Sequence, residues 1–161
     1  MLDVDRVAAQ SLAEHREDLR GLMPEAVSAQ GEVSTRTVMN RMFESAALRQ
    51  ALEKVLLPTV RTRIEAWSAQ STKRTALDSA LLFEAGLDVL CETTLALTCP
   101  AEIRRARVLQ RTTASAALFE TIEAAQWPEA KKVELATLTL ATDCELSELE
   151  RRVEALSNHM R

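Results

Sequence analysis

Asp78-Ser-Ala-Leu-Leu-Phe-Glu-Ala-Gly-Leu-Asp88 is the stretch on which the reading of this chain turns. It sets an acid, an apolar run, a second acid and a glycine within eleven residues. Only three glycines occur in the chain, so Gly86 is expected to mark a turn. An apolar run closed by an acid and a turn is how an α/β nucleotide-handling domain presents polar side chains at the carboxyl end of a strand. Thr75 to Phe83 therefore reads as a short buried strand with an acid embedded in it.

On either side of this stretch helix dominates, because Ala, Leu, Glu and Arg are abundant while Gly and Pro are scarce. Upstream, Met1 to Val4 reads as the end of a strand and Asp5 to Leu22 as one helix. Gly21 to Ser34 is a turn-rich break around Pro24 and Gly31. From Thr35 to Trp67 apolar residues recur with helical period, and Pro58 is expected to end one helix and begin the next. Ser68 to Arg74 reads as a loop.

Downstream, Thr93-Thr-Leu-Ala-Leu-Thr98 has the clearest strand composition. Ala101 to Arg111 is a basic helix on which Arg104, Arg107 and Arg111 share a face. A helix follows from Ala114 to Gln126, then a strand from Leu135 to Thr142. Glu145 to Met160 closes the chain as an amphipathic helix with Leu146, Leu149, Val153 and Leu156 on one side. Strand–helix–strand order predicts parallel pairing with right-handed crossovers.

Composition narrows the function. A length of 161 residues suits one domain with a core of its own. A net charge of −4 and 3% aromatics argue against a nucleic-acid binder. No apolar run reaches membrane-spanning length, and the charged first residues are not those of a secretory signal. Cys91, Cys99 and Cys144 form no C-x-x-C pair, and His15 and His159 lie far apart, so no structural metal site is expected. Three unpatterned thiols fit a reducing cytoplasm.

Six short patterns occur in one order along the chain. They are Leu2-Asp3-Val4-Asp5; Gly31-Glu-Val-Ser with Phe43; Leu52-Glu53-Lys-Val-Leu-Leu57-Pro58-Thr-Val60; and the Asp78 to Leu87 stretch. Cys99-Pro100-Ala-Glu102 with Arg107 and Arg111 comes next, and Ala124-Ala-Gln126-Trp-Pro128 with Lys132 is last. Together they resemble the dephospho-coenzyme A kinases, whose signature D-x-P-L-L-F-E-x-G-L is similar to the fourth pattern. The chain departs from that family at Leu57 (a His there), Ala80 (Pro), Arg104 (Gln) and Thr142 (Asn).

The resemblance implies a helix-rich α/β fold with the parallel-sheet core of a P-loop kinase. It implies a single domain over 1–161, with a helical substrate region at about 5–67, core strands at about 75–99 and 135–142, and a lid at about 104–126. It also implies ATP, Mg2+ and dephospho-coenzyme A (dephospho-CoA) as cofactor and substrates. The phosphate-cradling pattern G-x-x-x-x-G-K-[ST], however, is absent, since Gly21, Gly31 and Gly86 are followed by Leu22, Glu32 and Leu87. By the family pattern, that loop and the first, central strand are expected upstream of Met1. The core is therefore expected to lack its central strand, with exposed sheet edges that favour self-association. ATP binding and kinase activity of the 161 residues are expected to be weak. A degenerate, non-catalytic module that binds a partner is the alternative reading, and a purely helical adaptor is a third.

Candidate site residues follow from the resemblance, each with a structural alternative. Asp3 matches an acid near the acceptor hydroxyl, a catalytic base; the alternative is a helix-capping Asp, a role open to Asp5 as well. Of Asp78 and Glu84, one would meet magnesium and the other the acceptor nucleoside. The alternatives are a helix cap for Glu84 and an arginine pair for Asp78. Arg107 and Arg111 match lid residues that close on ATP phosphates, where a guanidinium fork suits phosphate oxygens. Their alternative is a solvated basic face. Gln126 and Lys132 are weaker candidates, and Trp67 and Trp127 read as packing residues.

Overall fold

The computed structural model describes residues 1–111 and 115–159. Ala114 and Met160, the ends of two expected helices, lie outside those residues. The chain divides into two compact units, Met1–Leu90 and Cys91–Arg161.

The first unit runs β1 (Leu2–Asp3), α1 (Val4–Ser11), α2 (Arg16–Leu22), α3 (Thr35–Glu44), α4 (Ala46–Ala69) and β2 (Leu77–Asp78). Short 3-10 turns occupy Pro24–Ala26 and Asp88–Leu90. Strands β1 and β2 pair in parallel, Leu2 with Leu77 and Asp3 with Asp78. In the second unit the order is β3 (Leu95–Thr98), α5 (Ala101–Leu109), α6 (Ala116–Ala125), α7 (Glu129–Leu135), β4 (Leu138–Ala141) and α8 (Leu146–His159). Strands β3 and β4 are also parallel, from Leu95 with Leu138 to Thr98 with Ala141. The expected parallel pairing is thus present in both units.

Helix α4 organises the first unit. Its buried residues Leu52, Leu56, Val60 and Ile64 recur every four positions along one face. Leu52 and Leu56 pack in one apolar cluster with Leu12, Leu19, Met23, Ala26 and Val38. Val60 and Ile64 pack in another with Val4, Val7 and Leu87.

This arrangement corrects the expected break at Pro58, which lies inside α4. A proline there removes one helix hydrogen bond and crowds the preceding turn. Burial of apolar residues on both sides of it outweighs that loss. The chain instead breaks at Ser45, whose hydroxyl accepts the Leu48 N–H at 3.3 Å as the N-cap of α4.

Other elements differ in extent. The helix expected over Asp5–Leu22 is two helices, because the chain turns at 12–15 to put both Leu12 and Leu19 into the same cluster. The corner is tied to α4: His15 Nε2 lies 2.8 Å from Thr59 Oγ1, and Arg63 donates to Ser11 Oγ at 3.0 Å. The strand expected over Thr75–Phe83 shrinks to Leu77–Asp78, and residues 80–86 form consecutive turns. Leu82 and Ala85 pack against the second cluster from these turns, so their apolar character serves a loop rather than a sheet. Leu135 ends α7 instead of starting β4, because Pro128 opens that short helix at the N-cap. Gly86, at φ 61°, and Gly31, at φ 84°, occupy the left-handed region that turns require, as expected of both.

Replacing Leu52, fully buried on α4, with Ala is expected to lower the unfolding free energy by about 2–5 kcal/mol. Val89→Ala, at a site 71% exposed, is expected to cost less than about 0.5 kcal/mol. Urea unfolding of the two variants measures the difference.

Candidate active site

Strand β1 ends directly in the N-terminus of α1, so its last residue does two jobs. Asp3 is both the strand partner of Asp78 and the N-cap of α1, its Oδ1 accepting the Arg6 N–H at 2.8 Å. The capping role anticipated as the alternative for Asp3 is therefore real. It leaves the second carboxylate oxygen outside that bond.

Two residues on, in the first turn of α1, is Asp5. Its carboxyl is pushed above the usual Asp range, chiefly by partial burial. The negative charges of Asp3 and Asp78 push the same way, and a hydrogen bond from the Ala80 backbone opposes them. Three carboxylates therefore gather where the parallel pair ends, with the Asp5 carboxyl the one shielded from water though much of its residue surface stays open. The sequence reading named Asp3 and Asp78 but saw Asp5 only as a capping alternative. The signal was the spacing of Asp3 and Asp5, which a strand-to-helix junction folds toward Asp78.

Glu84 sits in the turns after β2 and belongs to a different neighbourhood. On α4, Glu53 is raised above the usual Glu range by burial, lowered by Arg49 and raised again by the charge of Glu84. Glu84 thus lies against α4 beside a second carboxyl, and no α-helix follows for it to cap.

In the second unit the basic residues are mostly engaged. Arg104 pairs with Glu123 and with Glu129, the latter at 3.4 Å. Glu129 also accepts the Cys99 backbone N–H at 3.1 Å, so Arg104 helps tie α5 to α6 and α7. Arg107 donates to the Thr142 carbonyl at 2.9 Å and lies 3.7 Å from Cys99 Sγ. It holds the exit of β4 to the exit of β3. Arg111 follows α5 and is exposed. Lys132 reaches Gln126 Oε1 at 3.4 Å, so the two weaker candidates do meet. Trp127 carries Lys131 over its ring, 3.1 Å from the centroid.

Among the described residues no three His, Cys, Asp or Glu side chains gather closely enough to cage a metal alone. Magnesium seldom needs such a cage, being held by one or two carboxylates with phosphate oxygens and water. No described helix is long and apolar enough to cross a membrane.

The model of Dephospho-CoA kinase (CoaE) matches residues 1–148. The chain belongs to the dephospho-CoA kinase family. A dephospho-CoA kinase of Thermus thermophilus is 34% identical over 157 residues, 97% of this chain and 77% of that protein. One from Synechococcus elongatus is 32% identical over 146 residues, 87% of this chain and 70% of that protein. A crystal structure from Thermus thermophilus superposes with a TM-score of 0.82 at 31% identity, covering 99% of this chain and 84% of that one. The dephospho-CoA kinase structure of Campylobacter jejuni, at 15% identity and a TM-score of 0.67, shares the fold.

In this family member the acid cluster should register in stability. A carboxyl whose folded pKa is raised binds its proton more tightly folded than unfolded, so ionising it at neutral pH destabilises the fold. Asp5→Asn is therefore expected to melt higher than the parent at pH 7. The gap should close as pH falls through and below the ordinary Asp range, where both carry a neutral group. Thermal melts from pH 7 to pH 3 check this, and a lower melting temperature at pH 7 would contradict it. Arg107→Ala is expected to cost about 1 kcal/mol for its lost hydrogen bond, whereas Arg111→Ala should leave stability within about 0.5 kcal/mol.

Proposed function

We propose that this chain carries the acceptor-side and lid chemistry of dephospho-CoA kinase, which moves the terminal phosphoryl group of ATP to the ribose 3′-hydroxyl of dephospho-CoA. The observation that carries this reading is the convergence of Asp3, Asp5 and Asp78 at the carboxyl end of a parallel strand pair. The acceptor oxygen forms the new O–P bond as the bond from the γ-phosphorus to its bridging oxygen breaks and ADP leaves. Its proton needs a carboxylate within reach. Asp5 suits that task best, because burial and two neighbouring charges increase its proton affinity. Asp3 holds the strand-to-helix junction and adds its charge. Magnesium, when bound, neutralises charge on the phosphates; Asp78 and Asp3 offer the hard oxygen ligands it prefers. Glu84 is read as a contact to the acceptor nucleoside.

Arg111, exposed at the end of α5, is read as the lid residue most ready to meet phosphate oxygens. Arg107 would have to give up its bond to the Thr142 carbonyl to do the same.

The finer part of the reading concerns the 161 residues by themselves. They contain no glycine followed by lysine, so no G-x-x-x-x-G-K-[ST] cradle. Among the described residues the strands form two separate two-stranded sheets, and Leu97 of β3 is 61% exposed. Both facts support a kinase core without its central strand, and weak handling of ATP. Backbone amides and a lysine around the phosphates are a large part of transition-state stabilisation, each donor worth on the order of 10²–10³ in rate.

Calorimetric titration of the purified chain with dephospho-CoA, alongside a coupled ADP-release assay, tests both parts. Dephospho-CoA is expected to bind, while ADP release stays orders of magnitude below the roughly 1–100 s⁻¹ of ordinary kinases. No binding would sink the acceptor reading. Turnover in the ordinary range would sink the claim of weak activity.

A further inference from the structure

On α4, Glu53, Leu57 and Arg61 succeed one another at four-residue steps and so share one face. Opposite Glu53 lies Glu84, carried by the run of turns at 80–86. The charge of Glu84 acts on Glu53 against the larger, opposing charge of Arg49.

Two attachments are visible just past Glu84. Leu87 is a plug, 2% exposed, in the cluster formed with Val60 and Ile64 of α4. Arg61 donates from Nη2 to the Gly86 carbonyl at 3.1 Å. Gly86 adopts φ 61°, and the turns close internally through Ala85 N–H to Leu81 O, Gly86 N–H to Phe83 O and Leu87 N–H to Leu82 O. The Arg61 bond thus grips the carbonyl of the left-handed glycine that closes the run of turns, two residues after Glu84. A charged donor on a backbone acceptor is among the stronger single hydrogen bonds.

We infer that Arg61 is a positioning residue for the acceptor site: its guanidinium clamps the Gly86 carbonyl and so holds the Glu84-bearing turns against α4 in the orientation that receives the nucleoside of dephospho-CoA. This rests on the acceptor-binding reading above. Arg61 itself need not touch the acceptor; it acts through the turns, and Glu84 makes the contact.

The test compares Arg61→Met with Arg61→Lys, which keeps a cationic donor without the planar fork. Hydrogen exchange in the absence of any ligand is the first readout. In Arg61→Met the amides of Ala85, Gly86 and Leu87 are expected to exchange about tenfold faster or more, with α4 amides at Val60 and Ile64 unchanged. Arg61→Lys should lie between Met and the parent. The second readout is dephospho-CoA affinity by calorimetry: about tenfold weaker for Met, partly restored for Lys. Unchanged exchange at 85–87, or equal acceleration along α4, would overturn the clamp. Faster exchange at 85–87 with unaltered affinity would overturn its link to the acceptor while leaving the acceptor reading intact. A parent protein that binds no dephospho-CoA overturns the acceptor reading and that link with it, whereas exchange at 85–87 still reports on the clamp separately.

Discussion

The buried face of α4 is the constraint on which the first unit depends. Leu52 and Leu56 draw in α2, α3 and the Pro24–Ala26 turn, and Val60 and Ile64 draw in α1 and the segment after β2. One continuous helix is the shared wall of both clusters, so the proline in its middle does not divide it. A break there would let the two clusters turn independently.

The second unit is held differently. Among the described residues, the largest fully buried side chains, Leu19, Met23, Leu52, Leu87, Val38 and Val60 among them, all belong to the first unit. In the second, the buried apolar residues among those described are Ala96, Cys99 and Leu140, and polar ties do much of the work. Thr94 and Thr137 exchange hydrogen bonds at the start of the β3–β4 pair. Arg152 donates to the Ala141 carbonyl and to Glu148 at its end. The Arg152–Glu148 ion pair is partly exposed, and pairs of that kind are individually weak and salt-sensitive.

Charge at the acceptor end works against stability. Asp5 is raised by its own partial burial and by Asp3 and Asp78, and Glu53 by burial and Glu84. Each arrangement costs folding free energy at neutral pH, and each lies where the family resemblance puts chemistry. The cost is tolerated because the carboxylates sit on rigid attachments: a helix cap, a strand register and a carbonyl clamp.

Much was legible in the residues alone. Parallel pairing, the turns at Gly31 and Gly86, the helical majority and the family followed from periodicity, scarce glycine and six ordered patterns. Those signals are local or sequential, so no coordinates were needed to read them. Three-dimensional packing decided the rest. It carried α4 through Pro58, because burial on both sides of the proline outweighs one lost hydrogen bond. Asp5 joined Asp3 and Asp78 because a strand running straight into a helix brings residues three and five to the same strand end. Arg104 and Arg107 became ties within the second unit, since the acid Glu129 and the Thr142 carbonyl, distant in sequence, come within their reach. Periodicity and composition report what each segment prefers; which distant partner satisfies a charge or covers a methyl depends on contacts that only the folded chain creates.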